Sequence, residues 1–261
     1  MNTANAQTIH RVMHEIKRRK LEVLRVVELT PRMRRITVGG PELAGFISLG
    51  SNDHVKLFFP QNAEEQAMLD TLELSAGLKN QAMPPMRDYT PRRYDLNTLE
   101  LDIDFVLHGD GPAATWAAQA KPGQYLHIGG PRGSMVVPDI FDSYLLIGDE
   151  TAIPAIARRL EELPANRRVQ VVVEVQDAFE EQALCSAATV DVTWVQRNAP
   201  ARTLLETVEQ LSLSEGTLYA WVATESALSR KVRKVLLDRH GLNEAFVKAV
   251  GYWRLDDSAE A

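Results

Sequence analysis

Cysteine is almost absent from this sequence, Cys185 being the only one. A single thiol excludes an intramolecular disulfide, a cysteine zinc site and a cysteine-ligated iron–sulfur cluster. Redox chemistry would therefore need an organic cofactor, and no metal site is expected. No basic cluster surrounds Cys185 in the sequence, so it is expected to be a packed or incidental thiol. Also missing is any run of ~18 apolar residues. The basic N-terminal stretch MNTANAQTIHRVMHEIKRRK is followed by no apolar segment of the kind that directs secretion. A cytoplasmic protein without a membrane partner is expected. Positive charge is in deficit, the formal net charge being −6. That excludes a protein-wide attraction to nucleic acid or anionic lipid, so an anionic ligand has to meet a local basic patch. What the chain does have is length and apolar content: 261 residues, 45% of them hydrophobic, enough for one large domain or two modest ones.

From Leu21 to about Pro131 the apolar pattern is short and alternating, as in LEVLRVV, MRRITV, HVKLFF and LELDIDFVL. In the last of these Leu99, Leu101, Ile103 and Phe105 face one way and Glu100, Asp102 and Asp104 the other, which predicts half-buried antiparallel strands. Several such strands separated by turn residues predict a small barrel or sandwich. The insert QNAEEQAMLDTLELSAGLKNQAMPP is expected to form a surface helix or loop. After about Asp142 continuous apolar runs (YLLIG, VQVVVEV, VDVTWVQ, LYAWVA, FVKAV) alternate with helical patterns such as IPAIARRLEEL and ALSRKVRKVLLDRH. That rhythm predicts a parallel sheet covered on both faces. The expected fold class is β + α/β, an antiparallel β-barrel domain over residues 1–138 followed by an α/β domain over residues 139–261. Flavin reductases of the ferredoxin-reductase type place their flavin and nicotinamide domains in this order.

Five segments carry the candidate chemistry. Arg87-Asp88-Tyr89-Thr90-Pro91-Arg92 resembles the R-x-Y-T-x-R flavin motif of siderophore-interacting proteins, the bacterial ferric-siderophore reductases. The resemblance implies that Tyr89 lies flat on an isoalloxazine, Thr90 bonds near its N5, and Arg87 and Arg92 neutralise a diphosphate. An edge strand with a solvated arginine pair would look the same. The stretch Phe105-Val106-Leu107-His108-Gly109-Asp110-Gly111-Pro112-Ala113-Ala114-Thr115-Trp116 resembles the family's second flavin segment, a strand followed by a glycine turn that opens a helix. It implies cofactor contacts from Val106, His108, Ala113, Ala114, Thr115 and Trp116, with backbone N–H groups turned to the diphosphate. A histidine at a strand end such as His108 is also compatible with a purely structural role. Gly129-Gly130-Pro131-Arg132-Gly133-Ser134 resembles the family's G-P-R-G turn at the flavin edge, or a plain turn between domains.

In the second half, Gly148-Asp149-Glu150-Thr151-Ala152-Ile153-Pro154-Ala155 resembles the family's G-D-E-T-A-x-P-A segment and implies nicotinamide contacts from Asp149, Thr151 and Ala152. It lacks the G-x-G-x-x-G spacing. After the strand ending at Ala223, Arg230, Lys231, Arg233 and Lys234 are either holders of the 2′-phosphate of NADPH, Arg230 and Arg233 foremost, or a solvated basic face. Val250-Gly251-Tyr252-Trp253-Arg254 resembles the family's closing segment, whose aromatic pair, Trp253 foremost, either covers the flavin or packs a terminal strand on the core. Lys56, Arg132 and Lys248 each stand beside one of these matches and are expected to receive an anionic ferric chelate.

The resemblance implies a cytoplasmic FAD enzyme that takes a hydride from NADPH or NADH and reduces a ferric siderophore to Fe(II), with neither nucleic acid nor membrane as partner. Two other readings stay open on the residues alone: a general NAD(P)H:flavin or quinone reductase, and a non-catalytic ferric-siderophore binding protein.

Overall fold

The computed structural model describes residues 8–71, 83–199 and 201–255. The chain divides into two compact units, Met1–Pro138 and Asp139–Ala261. In the first, the alternating segments form strands β1 (His10–Met13), β2 (Arg18–Thr30), β3 (Met33–Gly39) and β4 (Val55–Phe58). Helix α1 (Ala63–Thr71) follows, then β5 (Met86–Tyr89), β6 (Arg93–Asp95), β7 (Glu100–Val106), α2 (Pro112–Gln119), β8 (Tyr125–Gly129) and β9 (Gly133–Val136). Seven of these strands make one antiparallel sheet in the order β5-β4-β8-β2-β3-β7-β6, while β1 pairs with β9 alone.

The two edges of the large sheet, β5 and β6, are consecutive in the chain and joined only by Thr90, Pro91 and Arg92. The four steps from Tyr89 to Arg93 reach at most ~14 Å, far less than the width of seven strands, so the sheet has to curl until its edges approach each other, which makes it a barrel. Apolar side chains from all round the sheet fill the interior, among them Val23, Ile36, Leu57, Leu101, Ile103, Phe105 and Leu126, and Ala113 and Ala117 of α2 pack against them.

The expectation that Asp102 and Asp104 face water is corrected. Both are buried because β3 places Thr37 and Arg35 directly opposite them. The Thr37 hydroxyl donates to Asp102 at 2.6 Å, and Arg35 makes a two-pronged ion pair with Asp104 at 2.7 and 2.8 Å. The insert begins as a surface helix, α1, anchored by the buried Leu69; its continuation over 72–82 lies outside the described residues.

The second unit follows the predicted alternation: β10 (Ser143–Asp149), α3 (Ile153–Glu162), β11 (Arg168–Val175), β12 (Thr189–Gln196), α4 (Leu204–Glu209), β13 (Leu218–Glu225), α5 (Ser226–Asp238) and β14 (Val247–Trp253). The sheet order is β12-β11-β10-β13-β14 with every pairing parallel. The chain builds outward from β10 on one side, then returns to build on the other. The switch point therefore lies between the C-terminal ends of β10 and β13, where open parallel sheets bind ligands. Gly148 is required there: a Cβ would stand 2.3 Å from Cβ of Ala152. Among the described residues, no helix is long and apolar enough to cross a membrane, and no group of three or more His, Cys, Asp or Glu could hold a metal. Cys185 is exposed rather than packed.

Candidate functional site

In the first unit the flavin-like segments meet at the barrel seam. The Tyr89 ring lies 4.4 Å from that of Phe105, and Phe105 lies 5.6 Å from Trp116, so two residues singled out in separate segments share one buried neighbour. Burial holds the Tyr89 phenol well above its usual pKa, against a small opposing pull from Arg87, so it is neutral. Thr90 and Arg92 are buried in the seam, and the Arg92 N–H donates to the Asp102 carbonyl. Arg87 is exposed, with its Nη1 on the Met86 carbonyl. The two arginines of the motif thus occupy different environments.

Val106 ends β7, half-buried, and His108 stands exposed beyond it. Gly109 takes φ +53°, a left-handed conformation that favours glycine. Gly111 is the extended N-cap of α2 and supplies no side-chain cap; Pro112 follows in the first turn. A Cβ on Gly109 or Gly111 would meet nothing within 4 Å. The Ala113 and Ala114 methyls are buried, so what this helix start offers is backbone N–H beside open space. That fits the diphosphate of FAD.

The G-P-R-G turn is clamped from behind. Ser134 Oγ donates to Asp53 at 2.5 Å and accepts from the Leu49 N–H and from His14 Nε2. The buried Arg19 donates to the Gly130 carbonyl at 3.1 Å. Arg132 is left with its side chain in solvent. Lys56 lies opposite Gly129 in the β4–β8 register, but its Nζ is 2.8 Å from Asp88, so it is an ion-paired lysine and not the lone cation expected.

In the second unit Asp149 gathers the switch point. One of its oxygens accepts from the Thr151 N–H and hydroxyl at 2.9 and 2.5 Å, and the other from the Trp253 indole at 2.8 Å. Burial pushes the Asp149 carboxyl up in pKa, and these hydrogen bonds oppose the shift. Ala152 is wholly buried and presents no side chain to a ligand. The structure brings Asp149, Thr151 and Trp253 together as a mutual support.

Two further groups of candidate residues lie in this unit. The start of α5 is filled by its own chain, since the Glu225 carboxylate caps the Ala227 and Leu228 N–H groups at 2.6 and 2.9 Å. Arg233 pairs with Glu244 and Lys234 with Asp238, while Arg230 is exposed. Arg233 and Lys234 thus have carboxylate partners of their own, and Glu225 stands at the helix start. Lys248, exposed, is the second residue of β14 and pairs with Trp221 of β13.

One cluster was not anticipated. Arg197, just past β12, binds both carboxylate oxygens of Glu150 through Nη1 and Nη2, and its Nε donates to Glu174 at 2.9 Å. Each residue stands at the C-terminal end of one of three adjacent strands. Aligning the ends of the apolar runs would have found them.

An antiparallel barrel with an open, uncapped helix start, followed by a parallel sheet with its switch point at the strand C-termini, defines a ferredoxin-reductase-like flavoprotein. Residues 22–135 match the family model described as the siderophore-interacting FAD-binding domain, and residues 141–256 that described as siderophore-interacting protein. The chain is 33% identical over 246 residues to the NADPH-dependent ferric-chelate reductase of Escherichia coli, covering 93% of this chain and 95% of that one. It is 31% identical to the ferric vibriobactin reductase of Vibrio cholerae over 93% of this chain and 92% of that one. The crystal structure of a siderophore utilization protein from T. fusca superposes with a TM-score of 0.84 at 39% identity, covering 95% of this chain and 100% of that one. The chain belongs to the siderophore-interacting protein family, and its first unit contains that family's FAD-binding domain.

Proposed function

We propose that this protein reduces the ferric iron of a siderophore or similar chelate in the cytoplasm, using FAD and a reduced nicotinamide, with no nucleic-acid or membrane partner. The observation that carries the reading is the start of α2, uncapped and open beside two glycines, inside the region matched by a siderophore-interacting FAD-binding domain. The relatives named as ferric-chelate and ferric vibriobactin reductases support the reaction.

The N–H groups of Ala113 and Ala114 would hold the diphosphate, the Thr115 N–H being spent on the Gly111 carbonyl at 2.9 Å; Arg87 and Arg92 would balance its charge, and Tyr89 and Thr90 would flank the ring. Bound FAD supplies the conversion of a two-electron hydride into single electrons, which ferric iron requires. Asp149 holds Trp253 in place at the switch point of the nicotinamide unit. Arg132 and the Lys56–Asp88 pair would meet the anionic chelate. No side chain is needed as a nucleophile. Reduction loosens the chelate because its hard oxygen ligands favour Fe(III) over Fe(II).

The test is the visible spectrum of the purified protein under anaerobic conditions, before and after NADH or NADPH and then after a ferric catecholate. Flavin bleaching by nucleotide and recovery on adding the chelate are expected. Bleaching without recovery by any ferric chelate would return the protein to the general reductases. No bleaching by either nucleotide would leave a binding protein.

A further inference from the structure

We propose that Glu150, Glu174 and Arg197 read the adenosine ribose of the nicotinamide nucleotide and select NADH over NADPH. This rests on the reading above, that a nicotinamide supplies the hydride. In the sheet register Asp149 of β10 faces Glu174 of β11, which faces Val195 of β12. Glu150, Glu174 and Arg197 therefore form a row along the ligand-side edge, on the β12 side of the switch point. The guanidinium is spent inside that row, with two donors on Glu150 and one on Glu174. The carboxylate side chains are only 12% and 18% exposed.

Two carboxylates and one guanidinium leave the row with a net negative charge. A ribose 2′-phosphate carries about −1.5 to −2 and would have to displace a carboxylate from Arg197 and then sit beside it. A ribose 2′-hydroxyl has a proton to donate and needs a carboxylate to receive it. An acidic residue at the end of the second strand of such a sheet is the arrangement that accepts this hydroxyl, and Glu174 stands there. Phe179 exposes 79% of its surface on the turn that follows β11, a flat face for an adenine beside that ribose. At α5, the alternative phosphate site, Glu225 occupies the helix start and Arg233 is paired with Glu244.

The test is calorimetric titration of the flavin-loaded protein with ADP-ribose and with its 2′-phosphorylated form, neither of which can reduce flavin. ADP-ribose should bind at least about tenfold more tightly, and Glu174→Gln and Glu150→Gln should each narrow that ratio. Equal or tighter binding of the 2′-phosphorylated form by the unmodified protein overturns the proposal without the need for any variant. So does an unchanged ratio in both variants. If NADPH bleaches the flavin faster than NADH, selectivity fails while the reductase reading stands. If neither nucleotide bleaches it and neither fragment binds, both fall together.

Discussion

The indole N–H of Trp253 donates to the buried carboxylate of Asp149 at 2.8 Å, joining strands β14 and β10 across the intervening β13. Trp253→Phe keeps the ring shape but leaves that oxygen short of a donor. We expect a loss of about 1–2 kcal/mol in the C-terminal unit, read by urea denaturation. The Asp149→Asn background should cut that loss sharply, because no charge then remains to be satisfied.

Two glycines on the same sheet cannot carry a side chain. At Gly148 a Cβ would stand 2.3 Å from the Ala152 methyl, and at Gly251 it would stand 2.3 Å from Ser226 Oγ and 2.8 Å from its Cα. Gly148→Ala and Gly251→Ala should each cost roughly 1–3 kcal/mol through overpacking. Thermal melts should show it in both variants, and an unshifted melt in either would contradict the close approach.

His127 is buried beside Arg18, and its pKa is lowered from 6.5 to about 4 by burial first and by that guanidinium second. Between those values the folded state binds fewer protons than the unfolded state. Stability should therefore rise with pH across the window and fall away on acidification, by at most roughly 1.4 kcal/mol per pH unit. Urea midpoints for the N-terminal unit at several pH values within the window would measure the slope. His127→Asn should flatten it.

Lys56 is held by Asp88 directly across the β4–β5 pair, so Lys56→Glu would set like charges against each other and confuse binding with folding. The cleaner pair is Lys56→Gln and Asp88→Asn. The first should raise KM for an anionic ferric chelate and the second should lower it. Because the pair is solvent-exposed, each change should be about two- to fivefold, with flavin bleaching by nucleotide unchanged.

The start of α2 provides a test in which stability and cofactor binding move in opposite directions. Gly111 has φ −65° and open space around a Cβ, so Gly111→Asp is sterically allowed and supplies the missing cap. The flavin-free protein should gain about 0.5–1 kcal/mol. The same carboxylate would compete with the FAD diphosphate, so retained flavin, counted from the visible spectrum after gel filtration, should drop.

Much of this was legible in the sequence because it is local. The alternation in β7, the continuous apolar strands of the second unit, Pro154 in the first turn of α3 and the glycine turn before α2 all act over a few neighbouring residues. What was not legible depends on partners brought in from elsewhere. Asp104 reads as solvated until β3 sets Arg35 against it, 69 residues away. Lys56 reads as free until β5 supplies Asp88, 32 residues on. The basic run of α5 reads equally as a phosphate site or a solvated face, and the Glu225 cap over the helix start is visible only in the fold. Arg197 drew no notice because its two carboxylates lie 47 and 23 residues before it.

The seam of the barrel also bears on how the protein behaves in company. Unpaired strand edges template aggregation, and here both edges are brief, the β5 edge four residues long and the β6 edge three. The link that turns them toward each other is Thr90, Pro91 and Arg92, part of the segment proposed to bind the cofactor. Damage to that link would splay two sticky margins as well as weaken a ligand site. A substitution at Pro91 would then be noticed first in the insoluble fraction, before any assay for flavin was run.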